Sequence, residues 1–332
     1  MKRRVPLVFS LATLLAASVS PAAEPLPIHG ARTVEATYVG TIAPLPAGAK
    51  RAEVWIPLPS DTPYQEIRNL KISSPVPATV GKDSAGNAVA HFVVEDAAAL
   101  GRKETEVRVT FRVRRSEVRA PLVHAAYAEP GQVPPEVAPY LGANRRVPLT
   151  PRVRKLAADL TAGKRDAVEK AQAIYSYVVD NGTYDKTAPG WGQGDSERFC
   201  DVKKGNCTDF HSAFMALARA EGIPVRFVIG FPLKPESAGT VPEYHCWAEF
   251  WAEGVSWIPA DASDAAKSRD PEKKRYLFGN LDPDRFEISR GRDLTLSPKQ
   301  KDGPINFFIF PYVEVDGRAF TDTKIRLEYK DA

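Results

Sequence analysis

The spacing of apolar residues changes once along this chain, from period two over Arg32 to Val118 to helical spacing after Pro151. In the first stretch Val34/Ala36/Tyr38, Val54/Ile56/Leu58 and Val107/Val109/Phe111/Val113 each place apolar side chains on one face of a strand. Asp83-Ser84-Ala85-Gly86-Asn87 marks a turn between a strand near Thr79 and another over Val89 to Val94. Residues 23–118 therefore predict a small antiparallel β-sandwich with a short helical turn at Asp96 to Leu100. Pro121, Pro130, Pro134, Pro135, Pro139 and Pro148 then break every period, which makes 119–150 a proline-rich linker.

From 151 to 332 the pattern predicts a second, α+β domain. Val153, Leu156, Ala157 and Leu160 form one helical face; Val168, Ala171, Ile174, Tyr175 and Val178 form another. The Gly-, Asp- and charge-rich stretch from Asn181 to Lys204 reads as an ordered loop carrying Tyr184 and Trp191. Asn206 is a favoured N-cap, Cys207 the first helical residue and Asp209 a first-turn carboxylate; Phe210, Phe214, Leu217 and Ala218 give this helix a face to bury, and Gly222 and Pro224 stop it. Val225 to Phe231 reads as a buried strand. Tyr244 to Trp251 alternates, with His245, Trp247, Glu249 and Trp251 on one face and Cys246, Ala248 and Phe250 on the other. After the Ala252-Glu253-Gly254 turn, Val255 to Asp261 returns as its partner, and such a hairpin can set Asp261 beside His245. Ser263 to Arg275 reads as a charged, solvated loop, and Asp316-Gly317 joins strands over Asn306 to Val315 and Thr323 to Tyr329 as a hairpin closing the domain.

The chemistry in this pattern is nucleophilic. A thiol at a helix N-terminus has a lowered pKa and lies among free backbone N–H groups, where an oxyanion can be held. A histidine on a strand can take its proton and return it to a leaving amine, and an aspartate on the adjacent strand can fix the tautomer. Cys207, His245 and Asp261 supply these roles at separations of 38 and 16 residues. Two other assignments compete. His211, one helical turn after Cys207, could be taken for the base but has no orienting carboxylate nearby in sequence. A zinc site from Cys200, Cys207, His211, His245 and Cys246 lacks a Cys-x-x-Cys pair and would need His245 and Cys246 to converge from opposite strand faces.

Four blocks, Gly205-Asn206-Cys207-Thr208-Asp209-Phe210, Ala218 to Arg226, His245-Cys246-Trp247-Ala248-Glu249 and Trp257 to Ser263, agree in order and spacing with the transglutaminase-like superfamily, which the chain resembles over roughly 167–264. The resemblance implies a papain-like core, a nucleophile helix packed on an antiparallel sheet, with Cys207 as nucleophile, His245 as base and Asp261 as orienting carboxylate. The preceding β-domain is similar in kind to those of secreted bacterial members. Such enzymes often hold an upstream aromatic near the oxyanion, and Tyr184 and Trp191 are candidates. Asn206 and Trp247, next to the nucleophile and near the base in sequence, join them as candidate oxyanion or substrate-binding residues. The expected activity is cysteine-dependent acyl transfer on amide bonds of proteins or peptides, cell-wall peptides included, through a thioester, with hydrolysis favoured over crosslinking. The rival from a different class is a catalytically silent binding or scaffold protein of the cell envelope.

Charge and cysteine content refine this picture. Met1-Lys2-Arg3-Arg4, the apolar run from Val5 to Val19 and the small residues Ser20 to Ala23 have the form of a secretory signal over 1–22, too short to span a bilayer, so the expected location is periplasmic or extracellular without stable membrane insertion. Three of the cations lie in that leader, and without them the formal charge falls from +4 to +1, which leaves no electrostatic footprint for nucleic acid. The three cysteines allow one bridge plus a free thiol or no bridge; Cys200 with Cys246 is the pairing that keeps Cys207 free. Nothing in the sequence implies a metal, nucleotide or redox cofactor.

Overall fold

The computed structural model describes residues 25–97, 103–122 and 133–332. The expected leader lies outside them, as does most of the turn expected at Asp96 to Leu100. The N-terminal part consists of β1 (Ile28–Ile42), β2 (Ala52–Leu58), β3 (Gln65–Ser73), β4 (Thr79–Lys82), β5 (Ala88–Val94) and β6 (Thr105–Arg119). Helices α1 (Pro151–Thr161) and α2 (Ala167–Asn181) follow, then β7 (Thr183–Tyr184), α3 (Ser196–Val202), β8 (Lys204–Gly205) and α4 (Cys207–Ala220). The remainder is β9 (Val225–Pro232), β10 (Ala238–Val241), β11 (His245–Ala252), β12 (Ser256–Ala260), α5 (Ala262–Lys267), α6 (Pro271–Tyr276), β13 (Asn280–Leu281), β14 (Arg285–Arg290), β15 (Tyr312–Val315), β16 (Arg318–Phe320) and β17 (Thr323–Asp331).

The class is α+β with mostly antiparallel sheets. A four-stranded sheet in the order β12-β11-β9-β14 carries the helices, and two further sheets, β10-β17-β1-β6-β13 with β3 on β6, and β16-β15-β2-β5-β4, form the β-rich part. Helix α4 is buried along its whole length, from Cys207 to Arg219, and packs on α1, α2, α3, α5, β9 and β11. The sequence marks only one apolar face on it. Its polar side chains tolerate burial because they are hydrogen-bonded: Ser212 Oγ to the Thr208 carbonyl at 2.8 Å, and Arg219 Nη2 to the Val225 carbonyl at 2.6 Å. Emptying this interior at Phe214, which is fully buried, costs about 3–5 kcal/mol.

Two expectations about the C-terminal half change. The C-terminal strands do not close the α+β domain on itself. The Asp316-Gly317 hairpin forms between β15 and β16, but β15 pairs with β2, and β17 runs antiparallel to β1 from Val34/Asp331 to Ile42/Thr323. The chain end thus completes the N-terminal sheets, and one apolar cluster runs from Val34 and Val54 through α4 to Leu327. Residues Ser263 to Arg275, expected as a solvated loop, hold α5 and α6, started by the N-caps Asp261 and Asp270. The second half of the proline-rich linker packs on the protein: Arg219 Nη1 donates to Gly142 O and Asn144 Oδ1 at 2.7 Å, at the end of α4 remote from Cys207.

Candidate active site

The sequence builds the start of α4 with a capping box. Asn206 Oδ1 accepts from the Thr208 amide at 3.0 Å, and Asp209 Oδ2 accepts from the Asn206 amide at 3.0 Å. The same Asp209 carboxylate accepts from the amides of Gly192 at 2.7 Å and Gly194 at 2.9 Å, so it ties the Trp191 loop to the helix that carries the thiol. Glycine is required at two of these places. A Cβ on Gly205 would collide with the Asp209 carboxylate, and Gly194 sits at φ +62°, in the left-handed region. Tyr184 reaches the site through the two-residue parallel pairing of β7 with β8, which sets it opposite Gly205.

The three expected catalytic residues meet. His245 enters from the first residue of β11, and Asp261 follows the last residue of β12 on the neighbouring strand. His245 Nε2 donates to Asp261 Oδ2 at 2.7 Å, which leaves Nδ1 as the nitrogen able to serve the Cys207 thiol, whose charge the imidazole stabilises. Asp261 is fully buried and saturated: it also accepts from Arg285 Nε at 3.2 Å, Ser263 Oγ at 3.2 Å and the Asp264 amide at 3.0 Å. Arg285 in turn pairs with Asp264 and Asp282, so one guanidinium holds three carboxylates around the histidine.

The electrostatics follow from this packing. Burial pushes the Cys207 thiol up, but hydrogen bonds from Cys246 and His245 and the positive charge of His245 outweigh it and hold the thiol well below its ordinary range. Burial alone would lower His245; the charges of Asp261 and Asp264 override it and raise the imidazole to about 10. Asp261, opposed by burial, is held well below the usual carboxylate range by His245, His211 and Arg285. At neutral pH the site is a thiolate–imidazolium pair backed by an ionised carboxylate.

Cys207 opens onto a cleft of about 700 Å³ whose lining includes Tyr184, Trp191, Asn206, Tyr244, Phe307 and Phe310. Three of the four proposed oxyanion or substrate residues, Tyr184, Trp191 and Asn206, therefore lie at the site. Trp247 does not: it is fully buried with Leu26, Val118, Val228 and Leu281, on the face of β11 opposite to Cys246, where those residues cover it. The Cys200–Cys246 bridge is also absent. All three cysteines are free; Cys200 lies on α3 beside Arg152, while Cys246 is buried against Thr208 and His211.

His211 is not the base. Its Nε2 accepts the Ala262 amide at 3.1 Å and its Nδ1 lies 3.5 Å from Cys246 Sγ, so both nitrogens are engaged behind the nucleophile. Among the described residues, His245, Asp261 and Asp264 are the group whose ligand atoms come within 4.8 Å of one another, and the Arg285 guanidinium already occupies their charge. That donor set fits an ion-pair network better than a dication. Sequence reasoning missed Tyr244, Asp264 and Arg285. Tyr244 stands next to His245 in sequence and its hydroxyl accepts from Asn206 Nδ2 and hydrogen-bonds Thr208 Oγ1, each at 3.1 Å. Arg285, 24 residues after Asp261, carries no local signal.

Comparison with known proteins agrees with this arrangement. The family model described as the transglutaminase-like superfamily matches residues 154–262. An uncharacterized protein of Haemophilus influenzae is 29% identical over 326 aligned residues, covering 86% of this chain and 87% of its own length. The uncharacterized protein YebA of Bacillus subtilis is 30% identical over 125 residues, 33% of this chain and 17% of its own. The crystal structure of a candidate cysteine protease from Cytophaga hutchinsonii shares the fold, with a TM-score of 0.60 at 17% identity over 92% of each chain. Residues 154–262, which contain α4 and the residues Cys207, His245 and Asp261, are thus similar to the transglutaminase-like superfamily.

Proposed function

We propose that this protein is an exported cysteine acyl-transfer enzyme that cleaves amide bonds of proteins or peptides through a thioester on Cys207, with water as the preferred acceptor. The observation that carries the reading is the assembled Cys207–His245–Asp261 chain on the floor of an aromatic cleft. The thiolate attacks the carbonyl carbon. The amides of Thr208, Asp209 and Phe210 are committed to the Asn206 side chain or carbonyl, so the Cys207 N–H is the amide of this turn left for the oxyanion, with the Tyr184 hydroxyl across the cleft as a second donor. Burial and the neighbouring Cys207 charge keep that phenol protonated. The imidazolium of His245 gives its Nδ1 proton to the departing amine, and the neutral ring then draws a proton from water attacking the thioester.

Hydrolysis is favoured over crosslinking by the Cytophaga hutchinsonii neighbour, described as a candidate protease. Export rests on the basic and apolar start of the sequence. No helix among the described residues is long and apolar enough to cross a membrane. The test is incubation of the mature chain with peptide amides, following amine release and the acyl-enzyme mass on Cys207. Release that disappears in Cys207→Ala is expected. Faster incorporation of a labelled primary amine than hydrolysis overturns the choice of acceptor, and a Cys207 inert to iodoacetamide overturns the catalytic reading.

A further inference from the structure

Arg292 is a buried cation that the mechanism does not use. The acceptors of its N–H groups are neutral and come from three separate segments. Nη1 donates at 2.7 Å to Ser212 Oγ of α4, which can accept because its own proton goes to the Thr208 carbonyl at 2.8 Å. Nη2 donates to the Gly194 carbonyl at 3.1 Å and to Asn306 Oδ1 at 2.6 Å, and Nε donates to the Asn306 carbonyl at 3.1 Å. Asn306 in turn donates from Nδ2 to the Gln193 carbonyl at 2.8 Å, so the two loops also meet directly. Both loops line the cleft, through Trp191 to Gln193 on one and Phe307 and Phe310 on the other. At Gly194 the hold is two-sided: its amide donates to Asp209 and its carbonyl accepts from Arg292. A Cβ there would lie 2.8 Å from Arg292 Nη2 and 2.9 Å from Ser212 Oγ, so only glycine permits this approach. Five donors in one planar fork let a single side chain join three segments, which the point charge of a lysine does not.

We propose that Arg292 is a positioning residue for substrate: it locks the loop of Trp191 to Gln193 and the loop of Phe307 to Phe310 to each other and to the nucleophile helix, so that the aromatic cleft is preformed for an apolar or aromatic side chain next to the scissile amide. The proposal rests on Cys207 being the nucleophile at that cleft. A preformed cleft binds without first ordering its own walls, and a loosened loop adds that cost to binding. Arg292 reaches α4 through Ser212 in its second turn, whereas the start of the helix at Cys207 is held by the Asn206 capping box. Loss of the bridge therefore weakens binding and leaves the thiolate as it was.

The experiment compares alkylation of Cys207 by iodoacetamide and by N-benzyl iodoacetamide at neutral pH, read by mass spectrometry. It uses the mature chain as wild type, Arg292→Lys, Asn306→Ala and the double variant, with thermal unfolding as the check on folding. The small reagent reports the thiolate. The benzyl reagent also reports the cleft, because its rate saturates with concentration and so separates a half-saturation constant from a maximal rate. In Arg292→Lys and in Asn306→Ala the half-saturation constant rises about tenfold, the effect of losing one hydrogen bond of ordinary strength, while the maximal rate and the iodoacetamide rate stay within about twofold of wild type. The double variant adds little to either single one, since both break the same bridge. A lysine that restores wild-type saturation overturns the proposal, because charge alone then suffices. A half-saturation constant unmoved in the folded variants overturns it too, as does a loss shared equally by the two reagents. Asn306 is only half-buried, so its variant decides the matter if Arg292→Lys does not fold. A wild-type Cys207 inert to iodoacetamide overturns the catalytic reading, and this proposal with it.

Discussion

Strand β11 contributes to two buried ion-pair networks, one at its start through His245 and one further along through Glu249, and the two behave differently. At the far end Glu249 accepts from Arg226 Nε at 2.6 Å and from Trp247 Nε1 at 3.3 Å, and the guanidinium lies 4.4 Å from the centre of the Trp257 ring. The pair is closed: burial pushes the Glu249 carboxyl up, but the charges of Arg226 and Arg290 outweigh it and hold it below its usual range. At the near end Asp261 is satisfied just as fully, but one of its partners is a histidine whose second nitrogen can serve a thiol at the base of the cleft. A buried ion pair becomes reactive when one member can pass on a proton and has an opening to pass it towards.

The largest effects should come from breaking the reactive end. Cys207→Ala and His245→Ala should each lower kcat/KM by about 10⁴-fold in steady-state amidase assays; the thermal unfolding midpoint should stay close to wild type in Cys207→Ala and fall in His245→Ala, which takes a charged partner from the buried Asp261. Next comes one buried ion-pair partner from each site. Arg285→Leu and Glu249→Ala each strand buried charge and should cost about 3–5 kcal/mol in denaturant unfolding. Only Arg285→Leu should also move the alkylation profile of Cys207; an equal movement in Glu249→Ala would erase the distinction between the two ends.

The pH dependence sharpens the contrast further. His245 is raised to about 10 in the folded protein, so its contribution to stability is full below its unfolded value near 6.5 and is lost as pH rises through about 10. Asp261 is depressed, so its contribution is present above about 3.9 and lost as pH falls through its lower folded value. Activity should be flat across neutrality, where thiolate and imidazolium coexist, and fall near pH 10 as the leaving amine loses its proton donor. A kcat/KM profile that falls near pH 7 would mean that the carboxylates do not hold the histidine charged. The smallest effect belongs to the cleft mouth: Trp191 is 39% exposed on the rim, and Trp191→Ala should reduce kcat/KM about five- to tenfold, mainly through KM.

The local logic of the site was legible in the chain. Asn206 as a cap and Cys207 as the first helical residue follow from residue chemistry, and the pairing of Tyr244 to Trp251 with Val255 to Asp261 follows from alternation and a short turn. Those rules act over a few residues, which is why Cys207, His245 and Asp261 could be named from them and from the four sequence blocks. Trp247 was misplaced because alternation tells which face a side chain takes but says nothing of what covers that face, here Leu26 and Leu281 from distant parts of the chain. The Cys200–Cys246 bridge was an argument from counting, and counting contains no distances.

Sequence by itself determined the class, the change of period at Pro151, the helix start that holds the thiol and the order of the catalytic residues. Only the tertiary structure decided that β17 and β15 return to the N-terminal sheets, that the turn before Phe310 and the start of β17 wall the cleft, and that Arg285 and His211 stand behind the triad. The physical reason is range. Caps, turns and periodicity are set by neighbours within a few residues, whereas strand pairing across 300 residues and the satisfaction of a buried carboxylate are set by whichever distant groups the packed core brings together.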